Sequence, residues 1–168
     1  MLFENSFVRD KNTAKEIYGY FFYKRPIMIL LYGVIGIYTV LTLLTSILFP
    51  EIAADFVIVL MLVALYIILL VLPYRMNVNT MVKRDAEMAG GREFLCEVSV
   101  SDSEIIHTAI GNTQSVGFEN ISYAFITKNY VALVTKAKFT YIFKKDSFTL
   151  GDCDGFVAFL KEKGIKIK

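Results

Sequence analysis

Hydrophobic and polar positions divide this chain into an uncharged half and an alternating half. No charged residue occurs from Ile27 to Phe49, nor from Phe56 to Tyr74. A helix that crosses the hydrocarbon core of a bilayer needs about 20 predominantly apolar residues, and both runs reach that range. The pattern therefore predicts a membrane hairpin over residues 26–74, with spans at about 27–49 and 56–74.

Composition favours the same interpretation. Hydrophobic residues make up 55% of the chain and charged residues 20%, against about 45–50% and 25% in soluble domains. Two long apolar runs lie back to back, and the rest of the chain is too small to bury both. A secretory signal is disfavoured, because its apolar region spans only about 7–15 residues after a short basic segment. The segment before Pro26 carries both charge signs, so a retained anchor is predicted.

Basic residues flank the hairpin but are absent from its loop. The loop from Pro50 to Asp55 contains two acidic residues and no Lys or Arg. Basic residues near span ends favour the cytoplasmic side, so both termini are predicted to be cytosolic. The flanking basic residues are Lys11, Lys15, Lys24, Arg25, Arg75, Lys83 and Arg84.

The first span carries small residues that allow membrane helices to approach closely. Candidates for helix–helix packing are Gly33, Gly36, Thr39 and Thr42. They favour packing against the second span within the hairpin, with a dimer contact as the alternative. Neither span contains an ionisable Asp, Glu, Lys, Arg or His. Pathways for ions or protons usually need one, so a transporter or pump is disfavoured.

The segments that flank the hairpin predict short elements. Residues 1–25 predict a cytosolic strand at Leu2–Val8 followed by a helix that Asp10 or Asn12 caps. Residues 75–91 predict a helical connector that continues the second span and that Gly90-Gly91 ends. Pro73 predicts a break or kink in the second span.

Residues 92–168 predict a small cytosolic α+β domain. Short alternating runs separated by turn residues are typical of antiparallel strands, and the last apolar run follows helical spacing. The expected fold is a small antiparallel sheet, barrel or sandwich that a C-terminal helix closes. The predicted strands are Glu93–Val100, Glu104–Ile110, Thr113–Gly117, Ile121–Thr127, Tyr130–Thr135 and Phe139–Phe143.

The order of the predicted elements and two sequence stretches resemble a known family. The stretch from Gly117 to Tyr123, GFENISY, is similar to the aromatic-x-x-Ile motif of the YcxB-like membrane proteins of bacteria, with Phe118 in place of the usual Trp. The stretch from Tyr141 to Phe148, YIFKKDSF, resembles the family's element before the terminal helix, with Lys144 in place of Pro. The resemblance implies a bacterial cytoplasmic-membrane protein with a PH-like cytosolic domain. It implies no reaction and no catalytic residues.

Candidate chemistry is sparse. His107 is the only histidine, and Cys96 and Cys153 lack the CxxC spacing of a metal or redox site. The Asp152–Gly155 stretch resembles the start of a calcium loop, but apolar residues occupy later ligand positions, so a helix N-cap is predicted. We therefore expect no enzyme activity, catalytic residue, metal, cofactor or small-molecule substrate.

Charge offers one further candidate surface. The net charge is only +2, which disfavours nucleic-acid binding. Four lysines are grouped around one predicted hairpin: Lys136, Lys138, Lys144 and Lys145. They indicate either a solvated surface or contact with anionic lipid headgroups, worth about 1 kcal/mol per basic residue near the membrane.

Function is predicted only by class. The first hypothesis is a membrane-anchored, non-enzymatic binding or regulatory module that touches the bilayer and a protein partner. The alternative is an accessory or structural subunit of a larger membrane complex, recognised through the hairpin, or a homo-oligomer. An immunity-type protein is a further alternative.

Overall fold

The computed structural model describes residues 1–24, 26–49 and 55–168. Arg25 and most of the predicted external loop lie outside the described residues. The described elements, in chain order, are β1 Phe3–Val8, α1 Lys11–Tyr23, α2 Pro26–Leu48, α3 Asp55–Met88, β2 Leu95–Val100, β3 Glu104–Ala109, β4 Asn112–Gly117, β5 Ile121–Ile126, β6 Tyr130–Thr135, β7 Thr140–Lys144, β8 Phe148–Leu150 and α4 Cys153–Glu162.

The chain divides into two compact units. One unit combines Met1–Ile17 with Met81–Lys168, and the other is Tyr18–Thr80. The first contains every described strand together with α4, and we call it the sheet unit. The second contains α2 and most of α3, and we call it the helical unit.

Each uncharged run lies on one long helix, and α3 continues past its run to Met88. Met28–Leu48 and Leu60–Met88 are long and apolar enough to cross a membrane. At about 1.5 Å per residue, the first of these, with 21 residues, extends roughly 32 Å. Helix α3 continues through Pro73, so of the predicted break or kink, the break is wrong. The helix ends before Gly90 and Gly91, whose positive φ angles of 61° and 80° terminate it.

The larger sheet has five antiparallel strands in the order β4-β3-β2-β1-β8. Strand β1 lies between β2 and β8 and pairs with β2 from Phe3↔Val100 to Val8↔Leu95. The first residues of the chain therefore form an interior strand of this sheet. A fragment that begins at residue 92 would lack that strand.

The smaller sheet has the order β5-β6-β7, and all six residues of its central strand β6 are buried. The buried Asn5 of β1 links the sheets. Its Nδ2 donates to the Lys144 carbonyl at 2.8 Å, and its Oδ1 accepts from the Lys144 amide at 3.0 Å. The side-chain amide thus supplies the pair of hydrogen bonds that a neighbouring strand would otherwise supply.

One hydrophobic core joins both sheets and α4. It includes Ile105 of the larger sheet, Leu133 and Phe143 of the smaller one, and Phe156 of α4. The rings of Phe143 and Phe156 lie 4.4 Å apart between centroids. These contacts confirm an antiparallel α+β arrangement with a packed C-terminal helix.

Of the sheet, barrel or sandwich that the sequence predicts, the barrel is wrong. Within the described residues, β4 pairs only with β3, and the outer edge of β5 meets the C-terminal tail through the Ala124↔Ile167 bridge. Because these edges never meet each other, the strands form two sheets and no closed cylinder.

Candidate functional site

The β6–β7 hairpin carries a basic and aromatic tip, formed by residues 136–139, all of them exposed. Lys136 and Lys138 flank this turn, and the Phe139 side chain is 65% exposed. Thr135 holds the turn, because its hydroxyl accepts from the Phe139 amide at 3.0 Å and its carbonyl accepts from the Lys138 amide. We call residues 136–139 the hairpin tip. An apolar ring beside two cations is the combination that lipid-surface contacts use.

The other two predicted lysines lie at the far end of β7. The Lys144 ammonium pairs with the Asp146 carboxylate at 3.3 Å, and Lys145 Nζ donates to the Thr127 carbonyl at 2.7 Å. At about 3.4 Å per residue of strand, the two lysine pairs are separated by roughly 20 Å. The structure thus places the four lysines in two groups, and only the hairpin tip combines them with an exposed ring.

Lysines of the C-terminal tail are engaged within the sheet unit. Lys163 Nζ lies 2.7 Å from Asp102 Oδ1. Lys168 Nζ lies 3.9 Å from the centre of the Tyr123 ring, a cation–π contact. The first contact ties the end of α4 to the β2–β3 turn of the larger sheet, and the second ties the tail to β5 of the smaller sheet.

The two glycines of α2 have open space around them in the part of the chain that the structure describes. Leaving out the backbone of α2 itself, a Cβ added at Gly33 or Gly36 would meet no described atom within 4 Å. The hydroxyls of Thr39 and Thr42 donate to the Ile35 and Tyr38 carbonyls of their own helix, each at 2.8 Å. The hydroxyls of the two threonines are thus engaged within α2, and the packing predicted for the four positions stays a prediction.

Tyrosines near the ends of the two apolar runs lie together within the helical unit. The ring centroids of Tyr23 and Tyr74 are 5.5 Å apart, and Tyr18 lies 6.1 Å from Tyr74. Tyr23 precedes the first run and Tyr74 ends the second. The contact therefore brings the start of the first apolar run to the level of the end of the second.

Of the candidate reactive side chains, Cys96 is buried, whereas Cys153 and His107 are partly buried. Burial raises the pKa of the Cys96 thiol to about 11, so this thiol stays protonated and weakly nucleophilic near neutral pH. Burial lowers the pKa of His107, and the charge of Arg9 lowers it further. The His107 ring stacks edge-on against Tyr141 at 5.5 Å. Across the described ranges, no group of three or more His, Cys, Asp or Glu side chains is placed to hold a metal ion.

The Asp152–Gly155 stretch caps α4, as predicted. Asp152 Oδ1 accepts from the Gly155 amide at 2.7 Å, and Asp154 lies in the first helical turn. The Asp152 carboxylate thus binds the backbone at the start of α4. The geometry is that of an N-cap.

The features of the sheet unit that the sequence did not predict include the role of Asn5 and the position of one turn. Asn5 gave no sign of its bridging role, because its partner lies 139 positions away in sequence. The turn between β3 and β4 was predicted at Gly111-Asn112, whereas the structure has it at Ile110-Gly111. A positive φ at Ile110, 51°, is rare for a β-branched residue and left no signal in the sequence.

Comparisons with protein-family models, with curated proteins and with solved structures give no match to this chain.

Proposed function

We propose that this chain is a membrane-anchored, non-enzymatic binding or regulatory module. The helical unit would form the anchor and the sheet unit would bind the partner. The main support is the surface of the two apolar helices. None of the most apolar window of Met28–Leu48 is buried, and only 6% of that of Leu60–Met88. Large aliphatic side chains exposed on this scale are unfavourable in water by about 1.5–3 kcal/mol each, and lipid would satisfy them.

The proposed orientation of the hairpin in the membrane rests on the flanking charges and on the contact between two tyrosines. The contact between Tyr23 and Tyr74 supports a hairpin whose two outer ends lie at one membrane surface. Basic residues flank those ends, and acidic residues occupy the loop. In this proposal both termini are cytosolic and residues 50–54 are external, in a bacterial cytoplasmic membrane. The resemblance to YcxB-like proteins supports the same placement and a PH-like role for the sheet unit.

Cysteine labelling in intact cells tests this topology. Cys96 and Cys153 are first replaced by serine, and Glu51→Cys or Thr113→Cys is then introduced. A membrane-impermeant maleimide is expected to label position 51 in intact cells and position 113 only after lysis. Labelling of position 113 in intact cells, with position 51 protected, would overturn the proposed orientation.

The hairpin tip is the proposed lipid contact. A polarity-sensitive dye on Phe139→Cys, in the cysteine-free chain, is expected to shift to the blue in nanodiscs that contain anionic lipid. The shift should shrink with neutral lipid and with Lys136→Gln plus Lys138→Gln, because the cations supply the attraction. The same dye on Thr113→Cys serves as the control. Equal spectra in both lipid compositions would contradict the lipid contact.

The open surface at Gly33 and Gly36 favours a second candidate, an accessory subunit of a membrane complex. Among the described residues, no atom lies within 4 Å of a Cβ added at either glycine, which leaves room for another helix. Gly36→Leu is then expected to remove copurifying proteins after mild detergent extraction, while Leu44→Ile leaves them. A monomer without partners, unchanged by Gly36→Leu, would exclude this candidate.

A further inference from the structure

Strand β4 is the longest open edge of the sheet unit. On the side away from β3 it pairs with no strand of the described residues. The edge of β5 is covered, since the Ala124 amide donates to the Lys166 carbonyl and the Ala124 carbonyl accepts from the Lys168 amide. The other edge of the larger sheet, β8, has only three residues.

The β3–β4 register determines which backbone groups of β4 face outward. Ile110 and Gly111, with φ angles of 51° and 74°, form a two-residue turn that pairs Ala109 with Asn112. Hydrogen-bonded and non-hydrogen-bonded pairs alternate along antiparallel strands. The N–H and C=O groups of Thr113 and Ser115 therefore point away from β3.

The edge of β4 lacks the features that normally protect an edge strand from pairing with another chain. Natural edge strands carry charged residues, prolines or bulges that prevent pairing. Asn112–Gly117 has no charge and no proline, its pairing with β3 has no register shift, and its first four residues are exposed. The outward backbone groups are thus available to another extended chain.

The two ends of the edge differ in chemistry. At the Gly117 end, Glu104 lies opposite on β3 and the Glu119 carboxylate lies against Gly117. At the Asn112 end there is a hollow of roughly 540 Å³. Its walls are the β3–β4 turn, the start of β2 and the segment after α3, and they combine the exposed apolar side chains of Met88, Leu95 and Ile110 with the charged Arg92 and Glu93.

We propose that β4 binds an extended segment of a partner protein as an added strand. The segment would place a Lys or Arg beside Glu104 and Glu119, and a large apolar side chain in the hollow. The ends of β4 are about 17 Å apart at 3.4 Å per residue, so these two side chains lie about five residues apart. Strand addition gains affinity from the main chain and specificity from such end contacts.

A second copy of this chain fits the edge less well. Its β4 contains no basic residue, and its only large apolar side chain is that of Val116. It would therefore fill neither end. The proposal rests on the proposed binding role of the sheet unit, but it does not depend on how the helices cross the membrane.

Phage display of random linear peptides on the full chain in nanodiscs tests the proposal, with empty nanodiscs as the subtraction. Enriched peptides are expected to carry a basic residue and a large apolar residue four to six positions apart. Their affinity, measured by fluorescence polarisation, should fall roughly tenfold or more with Ser115→Pro, which removes an outward N–H. Ser115→Ala keeps that N–H and should bind within about twofold of wild type.

Two results would overturn the proposal: no enrichment over empty nanodiscs, or peptides whose affinity is indifferent to Ser115→Pro. If that variant does not fold, peptides N-methylated at alternate residues replace it, and full retention of their binding is equally contradictory. A dimer in detergent that Ser115→Pro dissociates would assign the edge to a second copy and also exclude a partner segment. A negative result in the peptide screen would not change the result expected from cysteine labelling. Strand addition at β4 and the membrane topology are therefore tested separately.

Discussion

At the scale of single residues, buried polar groups that satisfy the backbone determine how the sheet unit fits together. Asn5 is 2% exposed and gives both of its amide atoms to Lys144. A proline at position 144 would have no N–H to donate to Asn5, so this bridge requires the backbone amide of Lys144.

Replacing Asn5 by alanine should be costly. Asn5→Ala leaves the Lys144 N–H and C=O without their partner, and each unsatisfied buried group costs about 1–3 kcal/mol. We expect the free energy of unfolding of the full chain in detergent to fall by about 2–4 kcal/mol, measured by urea titration with near-UV circular dichroism. Asn112→Ala, at the exposed start of β4, is the matched control. An equal loss in both variants would contradict the bridging role.

Glu16 provides a pH-dependent contact between α1 and the β5–β6 turn. Burial acts to raise its pKa, but hydrogen bonds from Thr127 and Asn129 and the charge of Lys145 outweigh this and lower it from the ordinary 4.5. Its carboxylate accepts from the Asn129 amide at 2.7 Å and from Asn129 Nδ2 at 2.8 Å. A folded-state pKa below the unfolded value stabilises the fold above the unfolded pKa.

That contribution should disappear on acidification. As pH falls from above 4.5 through the lowered folded-state pKa, wild type loses stability that Glu16→Gln never had in this window. The thermal midpoint of wild type should therefore fall more steeply with acid than that of Glu16→Gln. Parallel curves from neutral pH to pH 3 would show that the carboxylate adds nothing. Glu162→Gln, in the exposed last turn of α4, controls for general charge.

At the scale of elements, strands and helices with a strong periodic pattern could be predicted, and their partners could not. The alternation in β2 buries Cys96, Val98 and Val100, and such a pattern is visible in the sequence. Strand β8 was missed, because its three residues are too short to show a period. The place of β1 inside the larger sheet depends on contacts between distant residues, which periodicity does not encode.

The start of α4 could be predicted from the sequence, because Asp152 is a typical N-cap residue. Asp152→Ala removes the acceptor for the Gly155 amide, and loss of an N-cap costs about 0.5–2 kcal/mol. Asp152→Asn keeps an acceptor oxygen and should retain most of that stability. Both are measured by the same urea titration. An equal loss in the two variants would mean that charge, and not the cap, stabilises this helix end.

At the scale of the whole molecule, the distribution of apolar and charged residues predicts the two long helices, whereas no motif predicts a functional site. Each uncharged run lies in a helix that is long and apolar enough to cross a membrane. Such a helix can be predicted from its own residues, because it satisfies its backbone hydrogen bonds within one segment. Candidate sites were harder to predict. The four lysines form two groups, since strand β7 separates them, and the open edge of β4 exists only through the pairing order of the larger sheet.

The measurement that tests the membrane anchor most directly is alkaline carbonate extraction of membranes that contain the full chain. Carbonate at high pH releases peripheral proteins but leaves proteins with membrane-spanning helices in the lipid pellet. We predict that the chain remains in the pellet and enters solution only with detergent. Recovery of the chain in the aqueous supernatant without detergent would contradict the account.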